Sequence, residues 1–326
     1  MTVQRVVAGV AVTTALLGAA MALAAGPAQI NEPATAYAPA VRLRPPSGTS
    51  IAGCTVFPAD NPWNMRVDQA PLRNRSAQTI AAIQAAGGDF LHPDFGQNQE
   101  YGIPFVVVPA EQPVVPISYT DAGDESDPGP FPIPANAPVE TGSDRHVIVL
   151  QQGSCRLFEL FAAQRTGSGW SAYSGATFDL RTNALRPLGW TSADAAGLPI
   201  FPGLVRFDEV AAGAIRHAIR VTMTATQRGF ILPATHAASS NTNADLPPMG
   251  LRLRLRSDFD ISGLTGQAKV IALAFQQYGV IVADNGSNWF FQGAPSPGWI
   301  DDELNQLKTI PGNAFEVVDT GPTIAG

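Results

Sequence analysis

The chain holds little of what most catalytic signatures are built from. It has two cysteines, Cys54 and Cys155, and four histidines, His92, His146, His217 and His236, in 326 residues. No two histidines stand at the short spacing of H-x-H or H-E-x-x-H, so no metal site is expected. A G-x-S-x-G elbow, a P-loop and a glycine-rich dinucleotide fingerprint are also missing from the sequence. Their absence removes the usual routes to serine hydrolysis, phosphoryl transfer and nucleotide binding, and no cofactor is expected. Charged residues make up 14%, the formal net charge is −7, and lysine occurs only at Lys269 and Lys308. The basic footprint of a nucleic-acid binder is not there. An acidic turn at Asp121, Asp124, Glu125 and Asp127 is rich in oxygen, but lacks the alternating spacing of a calcium loop.

What is present begins with the N-terminus. Arg5 precedes the apolar run from Val6 to Leu23, and Ala22-Leu23-Ala24 is a small-residue cleavage site. This is the layout of a secretory signal peptide over residues 1–24, with an uncleaved anchor as the alternative. Residues 25–50, rich in Ala and Pro without periodicity, read as a disordered leader. Residues 51–326 show no internal repeat or second linker and are expected to form a single β-rich domain, secreted to an extracellular location and free of the membrane. In an oxidising compartment Cys54 and Cys155 are expected to join as a structural disulfide.

Strand signals dominate the domain. Short apolar or alternating runs bounded by Gly, Pro, Asn or Asp fall at 101–108, 114–119, 146–150, 156–162, 176–180, 215–222, 229–233, 250–256, 280–283 and 289–292. The plainest is Leu251–Arg256, where Leu and Arg alternate as in a half-buried antiparallel strand. Helices are expected at Ala77–Ala86, capped by Ser76 and ended by Gly87 and Gly88, at Gln267–Tyr278 before Gly279, and after Asp301 and Asp302. With 28 prolines, many short strands and few helices, the expected class is mainly β, an antiparallel β-sandwich or barrel with decorating helices. The helix–Gly–strand unit at 267–283 leaves an α+β alternative.

Candidate chemistry crowds into residues 186–220. This block carries Arg186, Trp190, Asp194, Arg206, Asp208, Glu209, His217 and Arg220 on loops and strand ends, where binding residues are commonly displayed. Glu159 lies inside the apolar run Leu157-Phe158-Glu159-Leu160-Phe161, where burial should raise its pKa into the range of a general acid. The expected catalytic set is Glu159 as acid, Asp194 or Asp208 as base or nucleophile, and His217 or His236 assisting. Trp190, Arg206, Arg186 and Asp284 are expected to hold the substrate. Trp63, Trp170, Trp190, Trp289 and Trp299 all neighbour turn-forming residues, which suggests aromatic faces on loops suited to sugar rings. Arg216 with Arg220, and Arg252 with Arg254 and Arg256, form faces that either solvate a sheet or bind an anionic polymer.

Three stretches resemble a family of secreted bacterial proteins with no assigned activity: Gly189–Ile200 (GWTSADAAGLPI), Pro247–Gly250 (PPMG) and Val282–Ser287 (VADNGS). The likeness runs from about Cys54 to Asp319. It implies secretion and one continuous domain, and carries over no catalytic residue. The leading expectation is a glycoside hydrolase on an extracellular polysaccharide, using paired carboxylates. A non-catalytic glycan-binding or surface protein is the alternative, and a polysaccharide lyase using the arginine faces is the third.

Overall fold

The structure, a computed structural model, describes residues 49–326; the expected signal segment and nearly all of the expected leader lie outside them. Among the described residues no helix is long and apolar enough to cross a membrane.

Period-2 alternation organises the middle of the fold. In the strand Val147–Gln151, Val147 and Val149 enter one apolar cluster, while Ile148 and Leu150 enter another. Successive side chains leave opposite faces of a strand, so this one is buried on both. The adjoining strand Arg156–Phe161 repeats the pattern, with Leu157 on one side and Phe158 and Leu160 on the other. With Ser174–Asp179 and Phe105–Val108 they form a four-stranded sheet in the order 174–179, 156–161, 147–151, 105–108. The first two pairings are antiparallel and the last is parallel. A three-stranded sheet of Ile117–Tyr119, Trp170–Ala172 and Gln164–Arg165 contributes Trp170, Ala172 and Ile117 to the cluster on one face.

The other face meets a six-stranded sheet. Its order is Phe315–Val317, Arg252–Leu255, Val280–Asn285, Ile219–Met223, Phe290–Gln292, His92–Asp94. At its centre Ile219–Met223 runs parallel to Val280–Asn285, and the register shifts between Val221 and Thr222. The larger apolar cluster joins the sheets, with Ile148, Leu157 and Phe178 alongside Val221, Leu253 and Val282. The helix Gly266–Gln277 buries Ala268, Ile271 and Phe275, and Gly279 follows it as the sequence predicts. The disulfide forms between Cys54 and Cys155, tying the N-terminal hairpin to the turn after Val147–Gln151.

The class is mainly β with a few helices, and each of the ten predicted runs contains an observed strand. Three details differ. The described sheets are open and mixed rather than a closed barrel or wholly antiparallel. Ser76 is the first residue of the helix Ser76–Ala85, not its cap; its hydroxyl accepts the Val317 N–H at 2.8 Å. The arginine side of Arg252–Leu255 is not a solvated face. Arg252 is buried and donates to the carbonyls of Tyr278, Pro62 and Met65, while Arg254 pairs with Glu316. A covering segment at 62–70 is invisible to a local pattern of alternation.

Candidate functional site

The loop 186–200 is shaped by a buried arginine and one obligatory glycine. Arg186 donates Nε to the Thr191 carbonyl at 2.8 Å, Nη1 to Asp127 Oδ2 at 2.5 Å and Nη2 to the Glu125 carbonyl at 2.8 Å. It staples the acidic turn to the loop. Glu125 Oε2 completes the join by accepting the Thr191 N–H at 3.0 Å. At Gly197 φ is +72°, and a Cβ there would lie 2.1 Å from Thr235 Oγ1 and 2.6 Å from the Trp190 carbonyl oxygen. Only glycine lets the loop double back so closely.

Between these segments lies a cleft of about 570 Å³. Asp121, Asp124 and Glu125 line one side, Phe161 and Tyr173 give it aromatic surface, and Thr191, Ser192, Ala193 and Ala195 line it from the loop, with His236 and Asp284. The chain places Asp284 at the end of the central parallel strand, where sheets of this kind commonly present functional groups. One Asp284 oxygen accepts the Asn285 N–H at 2.7 Å, and the other lies 3.9 Å from Arg220 Nη2. Burial raises the Asp284 carboxyl to about 7, and the negative charge of Asp194 adds to the rise. His236 Nδ1 donates to the Ala195 carbonyl at 2.7 Å, which leaves Nε2 as the ring nitrogen without a partner among the described residues.

A buried ionic network backs the cleft. Arg220 holds Asp194 through Nε at 3.0 Å and Nη2 at 2.7 Å, and gives Nη1 to Gln292 Oε1 at 2.5 Å. His146 donates Nδ1 to Glu140 at 2.5 Å and Nε2 to the Ala193 carbonyl at 3.1 Å. Burial opposes the charge on His146, but the hydrogen bond and negative charge of Glu140 outweigh it and raise the imidazole above its ordinary value. Asp94 is raised by burial, and Gln292 bonds its side chain. This array of titratable groups with opposed environments beside a cleft is what functional sites require.

The chain matches no family model, no curated protein and no solved structure.

The three stretches that carried a resemblance nonetheless meet in space. The Ala196 N–H donates to the Ala283 carbonyl at 3.0 Å, and the Gly250 N–H donates to the Val282 carbonyl at 2.7 Å. Two of them supply the cleft residues Thr191–Ala193, Ala195 and Asp284.

The expected site residues do not share one place. His236 and Asp284 line the cleft, and Asp194 and Arg186 sit behind it with their charges taken by Arg220 and Asp127. Trp190 is half-buried, with the Arg186 guanidinium 5.6 Å from its ring centre. Arg206, Asp208 and His217 belong to a separate cluster around Glu209. His217 Nε2 donates to Glu209 at 3.0 Å and Nδ1 to the Ala218 carbonyl. Arg206 is sealed, in charge contact with Glu209 at 2.8 Å and 5.0 Å from the Phe201 ring centre, so it is not presented to a sugar. Asp208 is exposed at the start of the helix Phe207–Ala211.

Glu159 is buried as expected, and burial raises it to about 7. It is nevertheless outside the cleft. Its carboxyl lies on the inter-sheet side with Leu157 and accepts the N–H groups of Ile200 and Phe201, both at 2.9 Å. Four of the five tryptophans, Trp63, Trp170, Trp289 and Trp299, are buried, because turn-forming neighbours report chain direction and not depth. Sequence reasoning passed over Glu140, His146, Phe161 and Tyr173 as site residues. A polar pair at the mouth of an apolar strand is a weak local signal, and the partners are joined only by folding.

Proposed function

We propose that the protein is a secreted glycan-acting hydrolase whose reaction takes place in the cleft, with Asp284 in the acid role that the sequence suggested for Glu159. The observation that carries this reading is a carboxyl that burial raises to about 7, lining the same cleft as a histidine whose Nε2 has no partner among the described residues. Asp284 gives its proton to the glycosidic oxygen as the bond from that oxygen to the anomeric carbon breaks. Water adds to that carbon, and His236 Nε2 takes the proton it loses. Arg220 and Asp194 are positioning residues, since they set the charge behind Asp284 without reaching the cleft. Tyr173, 39% exposed, offers an apolar face to a sugar ring. The disulfide supports an oxidising compartment, in keeping with export.

The test is the release of reducing ends from a panel of neutral and charged polysaccharides. Asp284→Asn is expected to lower the rate at least ~100-fold, and the wild-type rate is expected to fall as pH rises through about 7. Full activity in Asp284→Asn on a confirmed substrate overturns the assignment. A second reading, glycan binding without turnover, is favoured by one observation: Glu159 and Asp194, two of the expected catalytic carboxylates, are both committed to internal partners. Retention on a glycan with no new reducing ends selects it. The lyase reading gains no support from this cleft, since none of Arg216, Arg220, Arg252, Arg254 and Arg256 lines it.

A further inference from the structure

We propose that the cleft selects an amino sugar, an oligosaccharide bearing free ammonium groups, over its N-acylated or uronate counterparts. This rests on the reading of the cleft as a glycan site and adds the charge of the ligand. Two independent features point to it.

The first is uncompensated charge. Asp124, on the turn Gly123–Glu125, and Asp121, just before it, are exposed and have no ion-pair partner among the described residues. Asp284 faces Arg220 and adds nothing to this charge, and among the described residues no lysine or arginine lines the cleft. The two guanidinium groups behind the cleft are committed, Arg186 to Asp127 and two carbonyls, and Arg220 to Asp194 and Gln292. A uronate entering here would meet the like charge of Asp121 and Asp124 with no lysine or arginine in the lining to pair it.

The second feature is an aromatic wall that the fold does not need to expose. Tyr173 and Phe161 meet in a T-shaped contact at 5.6 Å and 71°, and Phe161 is in turn braced by the His146 ring at 5.5 Å. The braced ring stays 39% exposed at the cleft. A fixed aromatic face among carboxylates is the complement of an ammonium group on an otherwise apolar ring, through cation–π attraction and charge.

The experiment measures binding of the full chain to a glucosamine tetramer and to the N-acetylglucosamine tetramer by calorimetry, at low and at physiological salt. The amine form is expected to bind about tenfold tighter, with the preference shrinking as salt rises. In Asp121→Asn/Asp124→Asn, exposed changes that leave the melting curve in place, the two tetramers are expected to bind alike. Equal or tighter binding of the acetylated tetramer by the wild type overturns the proposal, while the hydrolase reading survives if Asp284→Asn still abolishes cleavage of it. Tight binding of the amine form without cleavage supports the ammonium selection and overturns the hydrolase reading instead. Binding of neither tetramer overturns the ammonium selection.

Discussion

Arg220 and Asp194 meet through two parallel hydrogen bonds, Nε to Oδ2 at 3.0 Å and Nη2 to Oδ1 at 2.7 Å, with both side chains sealed from solvent. A pair of this depth is held by mutual need, since each charge alone in the interior is costly. Replacing one partner, as in Asp194→Leu or Arg220→Met, is expected to cost about 3–5 kcal/mol in urea unfolding. The double variant is expected to cost less than the sum of the singles. Additive losses would show that the pair is not energetically coupled.

Glu159 makes stability fall as pH rises. Its folded value, about 7, lies above the ordinary 4.5. The native state therefore holds a proton that the unfolded chain has released, and the stabilisation is full below pH 4.5 and lost as pH rises through about 7. The size is on the order of 3 kcal/mol. In Glu159→Gln the slope of unfolding free energy between pH 4 and 7 is expected to flatten, leaving the part that Asp284 supplies with the same sign. An unchanged slope would remove Glu159 from this account.

His146 works the other way round in mechanism but with the same sign. Its raised value means that its contribution is full below 6.5 and lost as pH rises through the higher folded value. Glu140 is lowered: burial pushes it up, but the hydrogen bond and charge of His146 outweigh that, so its contribution is lost as pH falls. The pair is intact in the window between them. Proton NMR is expected to place the His146 titration above 6.5. His146→Phe should cost about 1–3 kcal/mol and loosen the cleft segment at Ala193, detectable as faster amide exchange there.

The disulfide closes a loop spanning 101 residues in sequence. Chain-entropy reasoning puts its contribution at up to about 4–5 kcal/mol. Cys54→Ser/Cys155→Ser is expected to lower the melting temperature by roughly 5–10 °C while leaving ligand binding at the cleft in place, because neither cysteine lines it. Equal melting of both proteins would count against a stabilising role.

The sequence by itself determined the features whose cause is local. Alternation and turn residues marked the strands, Gly279 marked a helix end, and two cysteines left one possible pairing. Glu159 was legible as a buried carboxyl because its immediate neighbours are apolar. Only the tertiary structure decided which carboxyl faces a cleft. Glu159 points between the sheets to Ile200, while Asp284, at the end of an equally apolar strand, lines the same cleft as His236 and the acidic turn. The block 186–220 is continuous in sequence, yet folding sends Arg186 and Asp194 to the cleft wall and Arg206 and His217 to Glu209. Arg252 looked solvated until residues 62–65 covered it. The reason is common to all three: the sign of a strand face and the fate of a charge depend on what packs against them from distant parts of the chain, and period-2 patterning carries no record of that partner.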